Sequence, residues 1–79
     1  MPDPDLADRI VGLLTPLVGQ NMARASVIAH CTKNGLDPHH LGAVDLPVLA
    51  RGIGTALVCF VGRSRADMVA AAILSLAGR

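Results

Sequence analysis

The chain has no tryptophan, no tyrosine and no glutamate, and only one phenylalanine, Phe60. Without large aromatics beside basic residues there is no platform on which bases of a single strand could stack. The seven Lys and Arg are scattered and the net charge is +1, so no basic stripe matches a phosphate backbone. The six acidic residues are all Asp, and each falls near an expected helix start, where a capping role suffices. No serine sits in a nucleophile motif, and no glycine-rich loop leads into a helix with a lysine. Catalysis is therefore not expected, and no cofactor is implied. Two cysteines, Cys31 and Cys59, are too few for a disulfide framework. No uncharged run reaches the ~20 residues of a membrane span. The longest, Ile10 to Ala23, is interrupted by Gly12, Pro16 and Gly19. The N-terminus is acidic and proline-rich, the reverse of a signal peptide. These features lead us to expect a cytoplasmic protein with reduced thiols, acting on neither nucleic acid nor membrane.

What the chain does have is aliphatic: 52% of its 79 residues are hydrophobic, nearly all Ala, Val, Leu and Ile. They are arranged twice over. A shift of 43 residues lays Leu6, Ile10, Leu14, Val18, Gly19 and Ala23 on Leu49, Ile53, Leu57, Val61, Gly62 and Ala66. Pro4 and Gly35 fall on Pro47 and Gly78 in the same alignment. Apolar positions four apart mark one stripe of an α-helix. The shared glycine supplies a left-handed stop. Asn21 and Ser64, two residues later, are preferred N-caps, and Ser64-Arg65-Ala66-Asp67 resembles a capping box.

The expected fold is thus all-α: one small four-helix domain over 1–79, made of two repeated helix–Gly-turn–helix hairpins. Hairpin 1 covers 4–35, the connector 36–45 and hairpin 2 covers 46–78. Asp3 caps the first helix with Pro4 in its first position. Pro16 either kinks that helix or ends it near Leu14, with Thr15 capping a fresh turn. Helix 2 spans Met22 to Asn34, with Gly35 as its stop. Asp37-Pro38 opens a short helical turn carrying His39 and His40, closed by Gly42. Asp45 caps helix 3, Leu46 to Val61, in which Gly52 and Gly54 permit close approach of another helix. Helix 4 runs from Arg65 to Ala77.

The polar residues that come nearest to a site are His30, Cys31, His39, His40 and Cys59. They are of zinc-ligating type, but their spacing matches no zinc motif, and no metal site is expected. In the 43-residue alignment His30 and Cys31 fall on Ile73 and Leu74, both expected in the core. The alternative reading, a small metal- or ligand-binding protein, would use these same residues. Arg63 and Arg65 flank the second turn and offer an acidic partner a place to dock.

The stretch Leu14 to Val27, with Val18-Gly19, Ala23 and Val27, resembles the Val/Ile-Gly-Pro-x-Ala segment of small helical domains appended to bacterial signalling proteins. These accompany serine/threonine kinases, roadblock-type modules and response regulators. Here Gln20 replaces the usual proline, and one extra residue precedes the alanine. The resemblance implies a non-catalytic regulatory or oligomerisation module and no catalytic residues.

A chain this short buries only about 60% of its unfolded surface. With so much aliphatic material, self-association or docking on a protein partner is the expected outlet. The residues expected at that interface are Leu49, Ile53, Leu57, Phe60, Val69, Ile73 and Leu76.

Overall fold

A computed structural model describes residues 6–76 of the chain. Among them are four α-helices and no strand: α1 (Leu6–Val18), α2 (Gln20–Lys33), α3 (Leu46–Val61) and α4 (Arg63–Ser75). Two 3₁₀ turns, Pro38–His40 and Ala43–Asp45, lie between α2 and α3. α1 packs chiefly on α2, and α3 chiefly on α4. The α2–α3 and α1–α4 contacts close the ring. The expected Asp3–Pro4 start of α1 and Gly78 stop of α4 lie outside the described residues.

The corners are tighter than expected. Each is one residue, Gly19 or Gly62, and not a three-residue turn. Gly19 has φ 88 and ψ 158, and Gly62 has φ 86 and ψ 163. This is not the left-handed helical region but an extended one that only glycine enters freely. Each glycine serves both of its helices. The Gly19 amide donates to the Thr15 carbonyl at 2.9 Å, and its carbonyl accepts from Ala23 at 2.9 Å. Gly62 does the same with Val58 and Ala66, both at 3.1 Å. Because α2 and α4 start immediately, Asn21 and Ser64 lie inside their first turns and form no cap, and the expected capping box is absent. Asp67 instead stands 3.9 Å from Arg63.

Pro16 does not end α1, which runs unbroken to Val18. Thr15 caps no fresh turn. Its hydroxyl donates to the Val11 carbonyl one turn back, at 2.7 Å. α2 closes on a Schellman motif: the Leu36 amide donates to Cys31 (2.8 Å) and the Gly35 amide to Thr32 (3.2 Å), with Gly35 at φ 70. In the connector, the Asp37 carboxylate accepts from the His39 amide at 2.9 Å, the expected cap. Asp45 does not cap α3. Its carboxylate turns back to accept from the Gly42 amide at 2.9 Å, because the 3₁₀ turn already feeds the chain into Leu46. Gly42 accordingly opens the second turn and does not close the first.

All four helices feed one core. α1 contributes Leu6, Ile10, Val11 and Leu14, and α3 contributes Leu46, Leu49, Ala50, Ile53 and Leu57. Leu6, Ile10 and Leu14 and the residues aligned with them, Leu49, Ile53 and Leu57, are all buried, whereas Ala50 is buried and its aligned Ala7 only partly so. α2 and α4 part company after their shared alanine. α2 buries Ala23, Val27 and Cys31, four apart each time, whereas α4 buries Ala66, Val69 and Ile73. So Cys31 is fully buried, but Leu74, its aligned residue, is 46% exposed. The neighbours explain this: the Pro38 turn packs on α1 and α2. Leu41, fully buried, pins the connector to the core.

Candidate functional site

Close packing governs where the polar side chains lie. Gly52 has no side chain, and a Cβ there would stand 3.0 Å from the His30 Nδ1. The imidazole occupies that space, half-buried between α2 and α3. Burial, seconded by the Lys33 charge, lowers its pKa from the usual 6.5. Burial likewise raises the Cys31 thiol, with Asp45 and Asp37 adding to the effect. His40 is on the surface, its Nδ1 2.8 Å from Asp37 Oδ2. The His39 amide and the His40 ring together hold the Asp37 carboxyl below its usual range. Cys59 is exposed on α3. The five His and Cys side chains are thus dispersed, and among the described residues no three His, Cys, Asp or Glu groups converge as metal ligands would.

The expected interface set needs correction. Leu49, Ile53, Leu57, Val69 and Ile73 are buried in the domain's own core, so a partner meeting the folded chain cannot reach them. Each belongs to a helical stripe that the neighbouring helices already cover. Leu76 is partly buried. Only Phe60, 66% exposed near the C-terminal end of α3, stands free. The other exposed large apolar side chains include Val44 (85%), Met68 (69%), Leu74 and Val58.

Open grooves lie between the helices, three of them as follows. One of about 270 Å³, between α1, α2 and the Pro38 turn, is floored by Val11 and Val27, and Asp8 and Arg24 stand 3.8 Å apart on its edge. A second, between α2 and α3, is bounded by His30, Lys33 and Arg51. The third, of about 370 Å³, runs between α3 and α4. Its floor holds Ala50, Gly54 and Ala70; Thr55 and Val58 stand on one side, and Arg51, Arg63 and Asp67 line its edges. It forms because α3 and α4 approach closely: a Cβ on Gly54 would stand 3.3 Å from the Ala70 Cβ and 3.8 Å from the Ala66 carbonyl oxygen. The close approach expected at Gly52 and Gly54 is present, with His30 filling the first position and α4 the second. The sequence pattern places Arg63 at this corner but not Arg51, which joins it only through the α3–α4 crossing.

The stretch Ala43–Val61 has mean hydropathy 1.7 over 19 residues, long and apolar enough by composition to cross a bilayer. Here Asp45 and Arg51 fall within it, and its Leu46, Leu49, Ile53 and Leu57 are taken up by the core. No protein-family model matches the chain, and neither a curated protein nor a solved structure matches it.

Proposed function

We propose that this domain is a non-catalytic protein–protein interaction module that works chiefly by homodimerisation, in a regulatory setting in the bacterial cytoplasm. The observation that carries this reading is the unspent apolar surface. Among the described residues the core contains no polar side chain, yet Val44, Met68 and Phe60 each lie mostly in water. Large apolar side chains so placed gain free energy from any surface that covers them, about 25 cal/mol per Å². The resemblance of Leu14 to Val27 to helical segments of signalling proteins supports the regulatory setting. Among the described residues no three His, Cys, Asp or Glu side chains stand together as a metal site would need. Light scattering at tens of micromolar, with an apolar dye added, tests the proposal. The expected result is a mass of two chains and dye fluorescence per chain that falls as the concentration rises. A strict monomer with no dye-accessible surface refutes it.

A further inference from the structure

The α2–α3 groove is built from two helical pairs that line the same recess. His30 and Lys33 stand three residues apart on α2, and Arg51 and Thr55 four apart on α3, so each pair shares one side of its helix. Gly52 makes room between them. Its missing side chain admits the His30 ring, whose Nδ1 stands 3.0 Å from where a Cβ would be. The groove, of about 390 Å³, thus gathers three basic side chains, and among the described residues no carboxylate lines it. Val48 and Ala56 add an apolar margin.

These bases have no counter-ion within the described residues. Lys33 and Arg51 make no ion pair there, and the His30 ring makes no hydrogen bond there. The carboxylates that act on neighbouring Cys31, those of Asp37 and Asp45, are engaged elsewhere. Asp37 accepts from the His39 amide and lies 2.8 Å from the His40 Nδ1, and Asp45 accepts from the Gly42 amide. The charge felt at His30 is that of Lys33, which is of like sign. The end of α2 presents no bare acceptors to offset it. The Asn34 amide and side chain cover the His30 carbonyl, the Leu36 amide that of Cys31 and the Gly35 amide that of Thr32. What remains is a recess of donors: an ammonium, a guanidinium fork, an imidazole and a hydroxyl. A tetrahedral dianion can accept from several of them at once. We infer that the α2–α3 groove binds the phosphoryl group of a small phosphate monoester, with Lys33 and Arg51 supplying charge, His30 and Thr55 hydrogen bonds, and Val48 and Ala56 the contact with the ester's apolar part. The site does not depend on self-association.

Proton NMR of the three histidine rings tests it on the full chain at constant ionic strength, at about pH 7.5, where a phosphate monoester is chiefly the dianion. Phenyl phosphate should shift the His30 resonances saturably, with a Kd on the order of 1 mM. His39 and His40, on the Pro38 turn, should hold their positions. Inorganic phosphate should shift the same ring but bind about threefold or more weakly, since it has nothing to lay on Val48 and Ala56. In saturating phenyl phosphate a pH series should show the His30 pKa raised, because the anion favours the imidazolium. Lys33→Gln and Arg51→Gln should each raise the Kd about tenfold with helical circular dichroism unchanged, and Arg24→Gln, on another groove, should bind like the wild type. No saturable His30 shift up to about 20 mM phenyl phosphate, or equal shifts of all three rings, overturns the site. Binding that survives the loss of both Lys33 and Arg51 overturns the assignment of its charges. Inorganic phosphate binding as tightly as the ester overturns the choice of a monoester and makes the free ion the ligand.

Discussion

Replacing Gly62 with alanine isolates the cost of the corner. A Cβ there meets nothing within 4 Å, so no clash contributes and the whole effect is backbone torsion. An L-residue held at φ 86 and ψ 163 sits in a region almost reserved for glycine, at a cost of about 1–3 kcal/mol. Alanine also narrows the unfolded ensemble, which offsets roughly 0.4–1 kcal/mol. The net loss is about 1.3 kcal/mol. Unfolding entropy of about 2.1 cal/mol/K per residue gives about 0.17 kcal/mol per degree for a chain of this length, so Tm should fall by about 8 °C. Gly12→Ala is the matched control. It too has open space around its Cβ, but it lies in the middle of α1. There alanine gains up to about 1 kcal/mol in helix propensity, and Tm should rise by up to about 6 °C. A third variant, made by chemical synthesis with D-alanine at 62, has the mirror-image preference and should melt no lower than the wild type. Thermal melts followed by helical circular dichroism read all three. If Gly62→Ala melts within about 2 °C of the wild type, well inside the shift worked above, the one-residue corner is not where the two helices are joined.

Ile73→Ala should cost about 2–5 kcal/mol because the side chain is fully buried, and Ile73→Asp should abolish the cooperative melt; Phe60→Ser, at an exposed site, should leave Tm within about 3 °C. Burial, with the Lys33 charge, lowers the His30 pKa in the fold, so the unfolded chain binds its proton more readily. Stability should be full above the unfolded value of about 6.5 and decline as the pH falls through it, before the carboxylates titrate; melts at about pH 7.5 and 5.5 should show this, and His30→Gln should flatten the difference. Ellman's reagent should titrate one thiol in the native protein, that of Cys59, and a second only in denaturant, since Cys31 is fully buried with a raised pKa.

Where the helices lie was legible because apolar residues recur at steps of three and four, as at Leu46, Leu49, Ile53 and Leu57, which share one side of a helix, whereas the step of three would put Leu46 and Leu49 on opposite faces of a strand. α3 begins and ends at Leu46 and Val61 as the pattern predicts. The corners were misread because capping preference describes a helix that starts from a loop. When a single glycine hands its amide to one helix and its carbonyl to the next, the glycine itself takes the cap position, and Asn21 and Ser64 fall beyond it. The interface set was misread for a related reason. A stripe of Leu and Ile shows that a face is covered but not by what, and here neighbouring helices of the same chain cover α3. The α3–α4 groove was hidden in the sequence because Arg51 and Asp67 come to line one surface only through the crossing at Gly54 and Ala70.

The absence of slack at Gly19 and Gly62 bears on which changes in chain length the fold can absorb. One added residue at either place would turn the following helix by about 100° and carry its inward stripe out to solvent. A deletion would do the same in the opposite sense. The stretch from Asn34 to Asp45 has no such rigidity: apart from the anchor Leu41 it is mostly surface, bent through two 3₁₀ turns and not shared by two helices. Tags, fluorophores or grafted loops therefore belong there, around Ala43 and Val44, and lineages that lengthen or shorten this domain should do so in that span while keeping both corners at a single glycine.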